Sequence, residues 1–574
     1  MQARTGLVVA SVLAALSCLT ALVVYLGFSR GHGAAADGGW LPRTAYPVPK
    51  DALFVSPRGD DSASGSKDAP LRTLKAAVRA AKAGQTIVLR AGTYREKVGL
   101  IGKRLTIQPY PNERVWFKGS LVVRDWEKAG KVWQHTGWRD ELCNDCYLPD
   151  IIDEKYPLAG RPQMVFLDGK PLRQVATREE VGPGTFYVGD GAVVIGDDPA
   201  DRTVEVTAYD HLLQFDKGSD GSQLRGVGIA HYGSNQRYGA RGAMVVVNAP
   251  RVRVEKTTFR YSASTGLAVF QPGGRVVDSI FRDNGLVGLL ANRADDLRVT
   301  GSRFEGNNAE HFATSGEAVG AAGAKVTRTQ RPYFARNVFR GNYATGWWCD
   351  LGCTDATVIS NRSVDNSGHG MFYEVSSAAL IADNVLAGNR KHGLKIASSD
   401  RVRLYHNTIT GEGAAAVGLF NDPRLPSFDW YSEAKGLTWL TSDLVAVNNL
   451  LIQRNPAAPV VQSADYRKNP AGNPAFVARA NGNGYLRAAS DEPLAVFVTG
   501  NGKAEPYPTL ADLRQAGFEK HGLTGNPGAV QLADDYTLQP GSVGIEAGLP
   551  IPADIAEALG VEVEQHPDLG ILVR

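Results

Sequence analysis

Asparagine recurs along this chain at a near-constant step. Asn337, Asn361, Asn384 and Asn407 follow one another with steps of 24, 23 and 23. A second column, Asn284, Asn307, Asn342, Asn366 and Asn389, steps by 23, 35, 24 and 23. A glycine column runs beside them at Gly288, Gly323, Gly346, Gly370 and Gly393. Self-similarity at this period marks a repeat architecture. Short β runs with Asn or Gly at the corners, recurring at this step, fit one coil of a parallel β-helix. Such a fold stacks equivalent residues of successive coils about 4.8 Å apart, so a column in the sequence becomes a column in space. The Asn columns read as internal ladders at the turns rather than as ligands.

The 574 residues can hold a large core, and the repeats argue for one long solenoid with insertions rather than several domains. The 62 basic and 59 acidic residues nearly balance, which gives no electrostatic case for nucleic acid. Leu7 to Phe28 carries no charge and is long enough to span a bilayer. It reads as a retained membrane anchor within residues 1–30, with a signal cleaved at Ala34-Ala35-Ala36 as the alternative. Either places the rest of the chain outside the cytoplasm. There, Cys143, Cys146, Cys349 and Cys353 are expected to be oxidised, leaving Cys18 in the apolar segment. Two local bridges, two bridges tying the segment near 143 to the coil at 349, and a four-cysteine zinc site all remain open at this stage.

Residues 31–50 read as a linker and 51–120 as the entry to the solenoid. Within that entry, Leu71 to Ala83 has helical periodicity and stops at Gly84, the expected cap over an otherwise open sheet end. The entry also carries Phe54-Val55-Ser56-Pro57-Arg58-Gly59-Asp60-Asp61, Pro70-Leu71-Arg72-Thr73-Leu74, Ala83-Gly84-Gln85-Thr86-Ile87 and Gly92-Thr93-Tyr94. These runs resemble the opening of right-handed parallel β-helix proteins of the pectate-lyase-like superfamily. That resemblance implies an all-β solenoid of the kind found in secreted polysaccharide lyases and glycoside hydrolases. It is specific for the fold and poor for the reaction. Residues 121–210 break the repeat and read as an inserted antiparallel β subdomain. Coils are expected over 211–455, interrupted by an aromatic- and proline-rich insert at 421–441, and 456–574 as a tail packed on the solenoid.

Side chains alternate faces along a strand. In the five glycine-started strands the first and third residues after Gly are apolar and suit the interior. The second and fourth then face out: Leu290/Asn292, Lys325/Thr327, Trp348/Asp350, Phe372/Glu374 and Lys395/Ala397. This places Asp350 and Glu374 in one register on neighbouring coils, roughly 5 Å apart. That is the spacing of the carboxyl pair in retaining glycosidases. Two acids so close split their pKa values into a protonated acid and an ionised partner. Trp348 and Phe372 would offer sugar platforms, with Lys325 and Lys395 to either side. The competing reading is an ion-pair ladder that only stabilises the stack. His369 and His392, one coil apart, are further acid/base or binding candidates. An insert in the long step between Gly288 and Gly323 carries Glu310, His311 and Glu317 at the edge of the same face.

These features predict an extracytoplasmic monomer acting on a polysaccharide or oligosaccharide. Its first reading is a glycoside hydrolase with Asp350 and Glu374 as the carboxyl pair. The alternatives are a uronate lyase or epimerase with Lys395 or a histidine as base, and a non-catalytic glycan-binding envelope protein. No cofactor or metal is required. Calcium stays open because the resemblance includes lyases that use it.

Overall fold

The computed structural model describes residues 41–574 except 140, 145, 147–150, 235–241, 314–319 and 573–574. The charge-free 7–28 segment, Cys18, the Ala34–Ala36 site and Glu317 lie outside the described residues. Among the described residues no helix is long and apolar enough to cross a membrane. The compact unit is Pro42–Arg574.

Three sheets of 13 strands each run the length of the solenoid. Each coil contributes one strand to each sheet, and pairing between coils is parallel throughout 213–465. All ten inward residues of the five glycine-started strands are buried in one core. They are Leu289 and Ala291, Ala324 and Val326, Trp347 and Cys349, Met371 and Tyr373, Leu394 and Ile396. Phe259, Phe281, Phe304 and Phe339 stack along the interior with centroids 4.7–4.9 Å apart.

Each asparagine column is a continuous hydrogen-bonded ladder. The Nδ2 of Asn361 donates to Oδ1 of Asn384 at 3.0 Å, and Asn384 repeats this to Asn407 at 3.0 Å. The Oδ1 also accepts the backbone N–H of the Asn one coil earlier. The residue before each rung is in the left-handed region: Arg336, Ser360, Asp383, His406 and Asn448, at φ of 51–58°. A non-glycine residue there is disfavoured, and the buried amide ladder, with its lone pairs and protons satisfied, compensates for it. The ladder continues through Asn449 and Asn483 and ends on a carboxylate: Glu519 accepts Nδ2 of Asn483 at 2.7 Å and the Tyr485 hydroxyl at 2.8 Å.

Several boundaries differ from the sequence expectation. The helix is Leu74–Ala80, capped by the Thr73 hydroxyl on the N–H of Ala76, while Leu71 pairs with Val55 as an isolated bridge. Leu74, Ala76, Ala77 and Val78 are buried in the solenoid core. Residues 42–50 are not a free linker. Gln108 donates to the Pro47 carbonyl at 2.9 Å, and the Arg225 guanidinium lies 4.2 Å from the Tyr46 ring centroid. The coils do not end near 455; strands Val461–Asp465, Gly484–Arg487 and Leu523–Gly525 extend the same sheets. Ladder steps of 42 and 34 in this region hide the period. Between strands Val115–Lys118 and Leu213–Phe215 the chain makes a four-stranded and a five-stranded sheet, largely antiparallel. Both disulfides are local, Cys143–Cys146 and Cys349–Cys353.

Candidate active site

Chemistry collects on the outward face of the sheet that holds strands Ala322–Thr327, Thr345–Asp350, Met371–Glu374 and Leu394–Ala397. Lys325 pairs with Trp348, Trp348 with Phe372, and Phe372 with Lys395, in strict register. The next outward row contains Thr327 beside Asp350 and Glu374 beside Ala397. Asp350 and Glu374 each directly follow a residue of one paired rung, Cys349 with Tyr373, and so occupy neighbouring coils. The paired rungs end at Cys349 and Tyr373, and on each coil the carboxylate is the next residue.

Each carboxylate has its own cationic partner. Lys325 Nζ donates to Oδ2 of Asp350 at 2.6 Å and lies 3.0 Å from the centroid of the Trp348 ring. Asp350 Oδ1 accepts the N–H of Leu351 at 2.7 Å. Trp348 Nε1 donates to Oε2 of Glu374 at 2.9 Å, and Arg424 donates to Oε1. Arg424 is in turn gripped by Asp422, whose oxygens accept its Nε at 2.8 and 3.0 Å. Burial pushes the Glu374 carboxyl up to about 7, with the Asp350 charge adding to the rise and Lys325 and Arg424 opposing it. Burial also lowers Lys325, against the pull of Asp350. The ion-pair ladder envisaged from the sequence is therefore only half present: Lys325 binds Asp350, but Glu374 is held by Arg424 rather than by Lys395.

Trp348 and Phe372 stack at 5.2 Å and 19°. Lys395 Nζ sits 4.3 Å from the Phe372 centroid and 5.7 Å from that of Phe420, and burial lowers its pKa. His369 and His392 stack at 5.5 Å and 4°. His392 Nδ1 is 3.0 Å from the Ala415 carbonyl, which makes it the protonated nitrogen, and the His392 N–H donates to Nδ1 of His369 at 3.2 Å. Burial pushes His392 down to about 4 and His369 well below its ordinary value, so both rings are neutral near pH 7. His369 lies against Phe372 at 5.4 Å and His392 against Phe420 at 5.5 Å. The two imidazoles thus back the aromatic platform.

Glu310 and His311 are not on the carboxyl row. They lie beside the segment 151–159, and Glu310 and Tyr156 line a cleft of about 760 Å³ between the inserted sheets and the solenoid. The His311 ring stacks on Tyr156 at 4.4 Å and meets Tyr343 edge-on at 4.5 Å. A satellite cluster of Ile151, Ala159, Leu286, Val287 and Phe312 joins this region to Trp348.

Arg424, Asp422 and Phe420 belong to the site and were not singled out in the sequence. They stand at the start of the aromatic-rich insert, whose short helix Trp430–Ala434 is tied to the solenoid through Arg328 and Asp429 at 2.9 Å. That insert and the 151–159 segment cover the outward face, leaving Asp350 and Glu374 only 7% and 8% exposed. Lys325 and Arg424 each take one oxygen of the carboxyl pair, and the Leu351 N–H and Trp348 Nε1 take the other two.

Three parallel sheets coiled around one apolar core, with Asn-ladder corners and a polar, aromatic outer face, define a parallel β-helix. Residues 242–409 match the model of the right-handed beta helix region, and residues 57–101 match DUF1565, a family of unknown function. The chain is 46% identical over 56 residues to pectate lyase PEL9 of Emericella nidulans, 10% of this chain and 14% of that protein. It is 26% identical over 144 residues to the mannuronan C5-epimerase of Pseudomonas putida, 25% of this chain and 26% of the relative. The chain thus spans about a quarter or less of the curated relatives it matches. Among solved structures, the complex of XylC with xylose superposes with a TM-score of 0.61 at 15% identity, covering 91% of this chain and 98% of the other. At that identity the likeness is one of fold.

Proposed function

We propose that this protein is a carbohydrate-active enzyme, a retaining glycoside hydrolase in which Asp350 is the nucleophile and Glu374 the acid/base. The observation that carries the reading is the unequal environment of two carboxyls on adjacent coils. Asp350 has a lysine 2.6 Å away, while Glu374 is pushed up to about 7 by burial and by the Asp350 charge. A raised carboxyl beside a second carboxyl paired to a lysine is the arrangement an acid and a nucleophile require. In the first step Glu374 gives its proton to the glycosidic oxygen as the bond to the anomeric carbon breaks. The Asp350 carboxylate attacks that carbon and forms a glycosyl ester. In the second, ionised Glu374 takes a proton from water, the water oxygen bonds to the anomeric carbon, and Asp350 leaves. Lys325 holds the Asp350 carboxylate in place, Trp348 orients Glu374, and the Trp348–Phe372 stack supports the sugar.

The uronate lyase or epimerase reading keeps one observation of its own. Lys395 lies over Phe372 rather than against a carboxylate and has a lowered pKa, as a base for a proton α to a carboxylate should. Two matched relatives are named for acting on pectate and mannuronan. Incubating the purified protein with panels of neutral and acidic glycans separates the two. Reducing ends without ultraviolet absorbance support hydrolysis; absorbance from an unsaturated uronate, or epimerised uronate in the product, supports the alternative.

A further inference from the structure

The cleft between the inserted sheets and the solenoid takes no part in the carboxyl-pair chemistry, yet it has the features of a ligand site. Its volume, about 760 Å³, falls in the range of roughly 300–1,000 Å³ typical of small-molecule sites. The floor is apolar: Met164 and Phe166 are buried in a cluster with Ala263, packed by Tyr261. Tyr156 stands at its edge, 44% exposed although one ring face is stacked on His311.

The polar groups of the cleft choose between ligand classes. Glu310 lines it, its carboxyl meets no cation among the described residues, and burial alone raises that carboxyl to about 7. Asp283 lines it too, with its charge met by Arg282 at 3.1 Å and Arg260 at 3.5 Å. The exposed Lys155, Arg173 and Glu180 complete the lining, which thus sets three carboxyls against two cations and offers a carboxylate-bearing sugar no buried cation beside Glu310. A neutral sugar meets a carboxyl that can accept or, when protonated, donate to hydroxyls, above an apolar and aromatic floor. Satisfying a buried carboxyl with a hydrogen-bonding ligand is itself favourable.

We infer that this cleft is a second carbohydrate-binding site, selective for neutral sugar units, built on Glu310, Tyr156 and the Met164–Phe166 floor. It is distinct from the carboxyl pair, and the 151–159 segment beside it shares an apolar cluster with Trp348. The inference does not depend on hydrolysis occurring.

The test is equilibrium binding, by calorimetry, of neutral oligosaccharides of two to five units and of oligouronates of the same lengths. The protein carries Asp350→Asn to suppress turnover. Neutral oligosaccharides should bind, oligouronates should not, and Glu310→Ala and Tyr156→Ala should each weaken binding about tenfold. Phe372→Ala, which removes half of the sugar platform at the carboxyl pair, should leave a binding event in place. Met164→Trp, a second way to fill the cleft, should abolish that event, with circular dichroism and thermal midpoint checked for each variant. Tighter binding of oligouronates, or binding lost with Phe372→Ala and indifferent to the three cleft substitutions, overturns the inference. Loss of hydrolysis alone, with cleft binding intact, would instead count against the catalytic reading.

Discussion

Lys325 donates to Asp350 at 2.6 Å from a side chain only 5% exposed, and the carboxylate it meets is 10% exposed. A buried ion pair of this kind is costly to break from one side. Lys325→Met should therefore destabilise the protein by about 3–5 kcal/mol in denaturant titration. The double variant Lys325→Met/Asp350→Asn should recover part of the stability and none of the activity. A single variant as stable as the parent would show that the pair carries no such burden.

Glu374 gives a pH signature whose sign follows from its shift. Its carboxyl rises from an ordinary 4.5 to about 7 on folding, so between those values the folded state holds more protons than the unfolded one. Stability from this group is full below about 4.5 and is lost as pH rises towards 7. Glu310 titrates in the same window with the same sign. Chemical denaturation from pH 4 to 8 should show this decline, flattened in Glu374→Gln. Turnover should fall on the alkaline side of about 7. Arg424→Gln, which removes a charge that lowers the Glu374 pKa, should shift that limb upward. A limb that stays put in Arg424→Gln assigns it to another group.

The asparagine ladder predicts a stability effect without a catalytic one. Asn384 accepts two hydrogen bonds from Asn361 and donates to the carbonyls of Val358 and Ala382 and to Asn407. Replacing it with Ala strands several buried partners at about 1–3 kcal/mol each, so the denaturation midpoint should drop sharply. At the far end, Glu519→Ala should cost more than Glu519→Gln, since the amide still offers an oxygen to Asn483 and Tyr485. Equal losses for the two would argue against the carboxylate ending the ladder by hydrogen bonding.

For the cysteines, thiol labelling of freshly isolated native protein without reductant should modify Cys18 at most. After reduction, labelling of the unfolded chain should add Cys143, Cys146, Cys349 and Cys353. Mass spectrometry of unreduced peptides should find 143 linked to 146 and 349 to 353, with no cross-link between the two regions. A peptide joining 143 or 146 to 349 or 353 contradicts the structure.

The repeat was legible because parallel stacking repeats the same local problem on every coil. A positive-φ corner followed by a ladder amide yields the same residue type each time, as at Asp383-Asn384 and His406-Asn407. Period-two alternation then gave the inward residues of the five strands, including Cys349 and Tyr373. What the sequence hid was what covers the outer face. Arg424 stands two coils' length beyond Glu374, and Tyr156 comes long before His311, inside the inserted region between strands Val132–Thr136 and Val165–Leu167; neither obeys the period. Their signal was compositional: an aromatic- and proline-rich insert at 421–441 and a break in the repeat over 121–210. The pair at 369 and 392 was visible as a column, but its neutrality depends on burial that no strand pattern reveals. The late coils escaped because inserts stretch their steps.

The central claim is that Asp350 and Glu374 form the working pair, with Asp350 as the nucleophile. The most direct measurement is intact-protein and peptide mass spectrometry after incubation with a panel of activated 2-deoxy-2-fluoro glycosides of neutral sugars. A stoichiometric adduct is expected on the peptide containing Asp350, absent in Asp350→Asn, with none on the peptide containing Glu374. Hydrolysis with no adduct and inversion at the anomeric carbon, or an adduct on any other residue, would contradict it.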